Sequence, residues 1–119
     1  MFVVDGLTIR MSRGDTGAIK FNAETEYEFQ SNDRALFSVK NAIGEVVRQQ
    51  AFPIESDKSF IVNFANADTD YLSAATYSWD VRYIINPYYD SEGKIIDGDQ
   101  VITPELPQEL QLLQVVGEV

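Results

Sequence analysis

The sequence predicts an all-β domain, an immunoglobulin-like β-sandwich of about seven or eight short antiparallel strands. Three observations predict it. Apolar residues alternate with polar ones in segment after segment, clusters of Gly, Pro, Asn, Asp and Ser separate those segments, and almost nothing repeats at helical spacing. The 119 residues match the size of one domain, so a single sandwich over 1–119 is expected, large enough to bury a core without staples.

The clearest element is the stretch 76–86. Its odd positions are Tyr77, Trp79, Val81, Tyr83 and Ile85, and its even positions are Ser78, Asp80, Arg82, then Ile84 and Asn86. Successive strand side chains point to opposite faces, so this is one apolar stripe backed by a mostly polar one. Asp80 and Arg82 spoil any helical pattern. Trp79 is the only tryptophan and sits mid-stripe, where it reads as a core anchor rather than a ligand-stacking platform.

The other elements follow in order. Leu7, Ile9 and Met11 alternate as a short strand before the turn Arg13-Gly14-Asp15-Thr16-Gly17. Ile19, Phe21 and Ala23 make the next stripe, and Glu24, Glu26 and Glu28 turn its continuation into a solvated, bent segment broken at Ser31-Asn32-Asp33. Ala35, Phe37 and Val39 lead through Asn41-Ala42-Ile43-Gly44 into 45–52, a β-hairpin whose second strand leaves open which of Val46 and Val47 faces inward. Phe60, Val62 and Phe64 form a further strand. Between 66 and 75 the pattern lapses, and Asp68 as an N-cap predicts one helical turn near Asp68–Ser73. Pro87 is expected to end the central strand because it cannot donate to a ladder. Ser91-Glu92-Gly93 and Asp97-Gly98-Asp99 read as turns bracketing Lys94-Ile95-Ile96, with Val101-Ile102 a stub. The stretch 109–116 reads as a last strand, carrying Leu110, Leu112, Val115 and Val116.

Composition excludes several function classes. No Cys and no His are present, which removes disulfides, thiolate nucleophiles, Ser-His-Asp sites and the commonest metal ligand and general base. Nineteen acidic residues against nine basic leave a net charge of −10, which repels phosphate backbones and anionic membrane surfaces, so neither nucleic acid nor membrane is an expected partner. The amino terminus lacks the basic start and apolar run of a signal peptide, and no stretch approaches the ~20 apolar residues of a membrane span. Assembly in the cytoplasm is the expectation.

With the strands laid out, an ordered set of short motifs emerges. It comprises Leu7-Thr8-Ile9 running into Arg13-Gly14-Asp15-Thr16, Asp33 ahead of Leu36-Phe37-Ser38-Val39-Lys40, Asp68-Thr69-x-x-Leu72, and Tyr77-x-Trp79-Asp80-Val81. This set resembles the amino-terminal immunoglobulin-like domain of phage baseplate upper proteins and related phage and prophage structural proteins, over roughly residues 7–86. Members of that family usually carry Gly just before the Tyr of the central strand, where this chain has Ala74-Ala75-Thr76. Baseplate upper proteins also continue into further domains. A chain of this length therefore looks more like a small accessory protein of the tail, baseplate or head.

The remaining motifs have simpler readings. Arg13-Gly14-Asp15 matches an integrin-binding tripeptide but reads as a β-turn between strands. The pairs Asp68/Asp70, Asp90/Glu92 and Asp97/Asp99 offer oxygens to Ca²⁺, yet none continues as an EF-hand loop, so turn acids are the reading and no metal or cofactor is expected. Paired carboxylates alone do not make a glycosidase, and no enzyme is expected. Tyr88 and Tyr89, placed in a loop past Pro87, are the candidate partner-contact residues, because exposed aromatics are favoured at protein interfaces. The expected function is a non-enzymatic virion structural or accessory protein that contacts other virion proteins or a second copy of itself. The alternative is a carbohydrate-binding module used in host attachment. The segments 7–11 and 109–116 are the expected sheet edges where such contacts form.

Overall fold

The structure, a computed structural model, describes residues 1–107, 109 and 111–116. Among them, nine strands and one short helix follow in order: β1 Phe2–Asp5, β2 Thr8–Ser12, β3 Gly17–Asn22, β4 Arg34–Lys40, β5 Val46–Pro53, β6 Ser59–Phe64, α1 Asn66–Thr69, β7 Ala75–Tyr89, β8 Ile95–Ile102 and β9 Leu112–Val116. Seven strands form one large sheet, ordered β1-β2-β9-β7-β4-β5, with β8 beside the second half of β7. Strands β3 and β6 form a small antiparallel sheet stacked on it. The predicted β-sandwich with one short helical turn is what forms.

Alternation decides what is buried. On the small sheet Phe60, Val62 and Phe64 are buried while Ile61 and Asn63 are exposed. Facing them, Tyr77, Trp79, Val81, Tyr83 and Ile85 of β7 are all buried, as their period of two predicts. Phe21 lies 5.2 Å from Phe60 and 5.4 Å from Trp79, and Trp79 stacks on Phe37 at 6.0 Å. Each such side chain contributes roughly 1.5–3 kcal/mol on burial.

The hairpin β4–β5 forms as expected, and of its two valines Val47 packs against the core while Val46 is exposed. Arg48 faces inward opposite Val39, in continuous register with Phe52 opposite Ala35, and the register shifts only beyond it, between Val39 and Lys40. Its guanidinium lies 4.8 Å over the Phe64 ring and 5.6 Å over Phe37, donates to the Asn63 carbonyl at 2.7 Å and sits 3.7 Å from Asp68. Burial pulls its pKa below the ordinary value, and Asp68 opposes that shift. Arg48 thus bridges the borders of the two sheets.

Several expectations fail, each for a physical reason. The predicted edges are interior: β2 lies between β1 and β9, and β9 between β2 and β7. These two segments pair with each other, and in parallel, Ile9 beside Leu113 and Met11 beside Val115, so the large sheet is not wholly antiparallel. Their apolarity reflects burial in mid-sheet, not a bare edge. Of the segment 109–116, Leu112–Val116 is strand, and Leu110 lies outside the described residues. The sheet order ends instead at β1 and β5; Asp5-Gly6 is a strong hairpin signal for the first, where Gly6 turns at φ +59° and Phe2 opposes Met11. The helical turn begins earlier than predicted, at Asn66, and Asp68 is its third residue, accepting the Ala65 N–H at 2.7 Å instead of capping.

The largest difference concerns the segment after the central strand. β7 does not stop at Pro87 but runs to Tyr89, and Asp97-Gly98-Asp99 lies inside β8 opposite it, not in a turn. Gly98 is required there for close approach. A Cβ on it would come within 2.5 Å of Ile84 Cγ2 and 2.8 Å of the Ile85 carbonyl oxygen. Gly98→Ala is therefore expected to cost about 1–3 kcal/mol by overpacking. A urea midpoint equal to that of the unaltered protein would show that β8 can simply shift aside.

Candidate functional site

The paired ends of β7 and β8 form an arm, and its base is built from Asn86, which the sequence places on the central strand, and from Asn32, Asp33 and Asp99, which it places in turns. Asn86 adopts φ +48°, a left-handed conformation that Asn tolerates because its short side chain bonds locally. Its N–H donates to Asp33 Oδ1 at 2.9 Å, and the Gln30 N–H donates to Asp33 Oδ2 at 2.7 Å. Asp33 is only 1% exposed, so both carboxylate oxygens work in a dry environment. The Asn86 side chain donates to Asp99 Oδ2 and accepts from Asn32 Nδ2, both at 2.8 Å, and the Tyr88 hydroxyl donates to Asp99 Oδ1. One buried carboxylate thus fixes the bend, and the amide of Asn86 ties it to the neighbouring strand and loop.

Beyond the bend the arm exposes apolar side chains. The register slips between Tyr88 and Tyr89, and Ile96, left unpaired by that slip, is 66% exposed. Val101 and both predicted contact residues, Tyr88 and Tyr89, are exposed too. The tyrosines lie in strand, not in the loop expected for them, so they point to opposite sides. Tyr88 is tied to Asp99. Tyr89, 49% exposed, faces a groove, and among the described residues nothing hydrogen-bonds its hydroxyl.

That groove, of about 590 Å³, separates the arm tip from the β4–β5 hairpin. Leu36, Val47, Gln49 and Ala51 lie on its hairpin side, and Tyr89, Lys94 and Ile95 form the opposing wall. A second crevice, of about 570 Å³, opens beside Leu7 and Leu106 over Phe21, Trp79 and Tyr83. Those rings pack on one another and belong to the core; burial pushes the Tyr83 hydroxyl up to about 12.

The other predicted motifs lie elsewhere and have local roles. In Arg13-Gly14-Asp15, Gly14 turns at φ +80°, donates to Thr69 Oγ1 at 3.0 Å and accepts from Asn66 Nδ2 at 3.0 Å, which ties the turn to α1. Asp15 Oδ2 accepts the Ser12 N–H and the amino-terminal ammonium, which holds its carboxyl below the usual range. Asp90 Oδ1 accepts the N–H groups of Glu92 and Lys94 and shapes the arm's turn. Among the described residues no three acidic side chains gather to hold a metal ion, and no helix is long and apolar enough to cross a membrane.

Neither a known family model nor a curated protein matches this chain. The reading of function therefore rests on the arm, the groove and the motifs themselves.

Proposed function

We propose that this is a non-enzymatic structural or accessory protein of a phage virion, of the tail, baseplate or head, which works by docking its arm on another virion protein. The observation that carries this reading is the arm: a bend held by buried polar groups presents Ile96, Tyr88 and Val101 to solvent. A rigid apolar projection lowers the ordering cost of association, because little conformational freedom remains to be lost on binding. The ordered motifs that resemble phage baseplate upper proteins support the virion assignment. A specific contact, to another virion protein or to a second copy, would bury ~1,200 Å² or more in total.

Ile96→Glu places a charge at the most exposed apolar side chain of the arm without touching the core. It is expected to leave the melting temperature within a degree or two and to weaken capture of tail, baseplate or head proteins by roughly tenfold or more. Sedimentation at micromolar concentration reports self-association in the same experiment. A strict monomer that captures no virion protein would refute the reading.

A further inference from the structure

The groove between the arm tip and the β4–β5 hairpin sets an aromatic ring across from aliphatic and amide side chains. Nineteen of 119 residues are acidic, yet among the described residues lining this groove there is no Asp or Glu. Its only cations are Lys94 on the wall and Arg48, whose side chain is turned inward between the sheets. The groove mixes aliphatic side chains (Leu36, Ala51, Ile95) with the amide head of Gln49, and the ring of Tyr89 stands on the opposite side. Gln49 spends its amide nitrogen on Ser38 Oγ at 3.1 Å, which orients its head and leaves the carbonyl oxygen to a ligand; Gln50, opposite Phe37, turns to the other face, where it accepts from Arg48 at 2.9 Å.

We infer that this groove is a binding site for a neutral oligosaccharide. A pyranose ring has an apolar face and a rim of hydroxyls that both donate and accept. The groove offers a matching set: an aromatic ring and aliphatic side chains for the faces, and the Gln49 amide acceptor, the Tyr89 hydroxyl and Lys94 for the rim. Its volume lies within the ~300–1,000 Å³ of small-molecule sites, which are mostly apolar with a few placed polar groups. The charge pattern selects among ligands. A protein of net charge −10 repels a polyanion at long range, and a cationic ligand would find no carboxylate in the groove, so a neutral chain fits best. The site is separate from the arm's docking surface, since Tyr89 and Tyr88 face opposite ways.

The test is nuclear magnetic resonance titration of the full chain with maltotriose, cellotriose and chitotriose at millimolar concentration. At least one is expected to shift the side-chain amide of Gln49 and the ring of Tyr89, leaving Ile96 and Val101 unmoved. Tyr89→Phe keeps the stacking ring and is expected to bind within a few-fold of the unaltered protein. Tyr89→Ala is expected to bind at least roughly tenfold more weakly, with its melting temperature unchanged because the ring is half exposed. No shift with any of the three sugars overturns the inference, and so does equal binding by Tyr89→Ala. Protection of the β5 backbone amides by a captured protein, undiminished in Tyr89→Ala, would mean that a partner strand occupies the groove instead.

Discussion

Trp79→Ala is expected to destabilise the protein by about 3–5 kcal/mol, the largest effect of any single truncation here. The indole is 4% exposed and lies between the two sheets, 5.4 Å from Phe21 and 6.0 Å from Phe37. Truncation removes its transfer energy and leaves a cavity that neither sheet can collapse into, because β7 is hydrogen-bonded to β4 and β9 on either side. It also removes the bond from Nε1 to the Leu7 carbonyl at 3.0 Å, which anchors the β1–β2 turn to the core. Trp79→Phe restores much of the volume but not that bond, so it should recover about half of the loss. The measurement is urea unfolding followed by circular dichroism, together with the native emission maximum of the unaltered protein, expected to be blue-shifted. A red-shifted maximum, or an alanine variant melting within a degree or two of the original, would contradict this placement.

Trp79 was legible in the sequence because a period of two reports directly on which face is buried, and the same logic found Phe37, Phe60, Val62 and Phe64. Pairing was not legible. Alternation marks a strand's inner face but carries nothing about its neighbours, so β2 and β9, a hundred residues apart, were read as edges when they lie side by side. Gly98 misled for a related reason. Beside two aspartates it has turn composition, whereas here its missing side chain makes room for Ile84. Tyr88 and Tyr89 were found as exposed aromatics, but only the run of β7 through Pro87 reveals that they serve opposite sides of the arm. Arg48 illustrates the limit in another way: a period of two puts it on the face of Phe52, but nothing in the sequence shows that Asn63 and Asp68 lie there to meet its charge.

Asp33→Ala is the second large expected effect, about 2–4 kcal/mol, and it should fall unevenly on the structure. Removing the carboxylate leaves the N–H groups of Gln30 and Asn86 without their acceptor in a site that excludes water, and each such donor costs about 1–3 kcal/mol. Asp33→Asn retains one acceptor oxygen and should lose about half as much. The local consequence is more informative than the total. Asn86 tolerates its left-handed conformation, and the bond from its N–H to Asp33 fixes it there. Without it the bend relaxes, Asn86 no longer aligns with Asp99 and Asn32, and the arm loses its fixed direction. Hydrogen exchange should therefore accelerate first at Tyr88, Tyr89 and 95–99, while Phe37, Val81 and Val62 in the sandwich exchange only by global unfolding. Capture of a virion partner through Ile96 should weaken along with it, since an arm free to swing must be ordered again on binding. Exchange that speeds up evenly across both sheets, or a variant as stable as the original, would show that Asp33 supports the whole fold or none of it, and not the bearing of the arm.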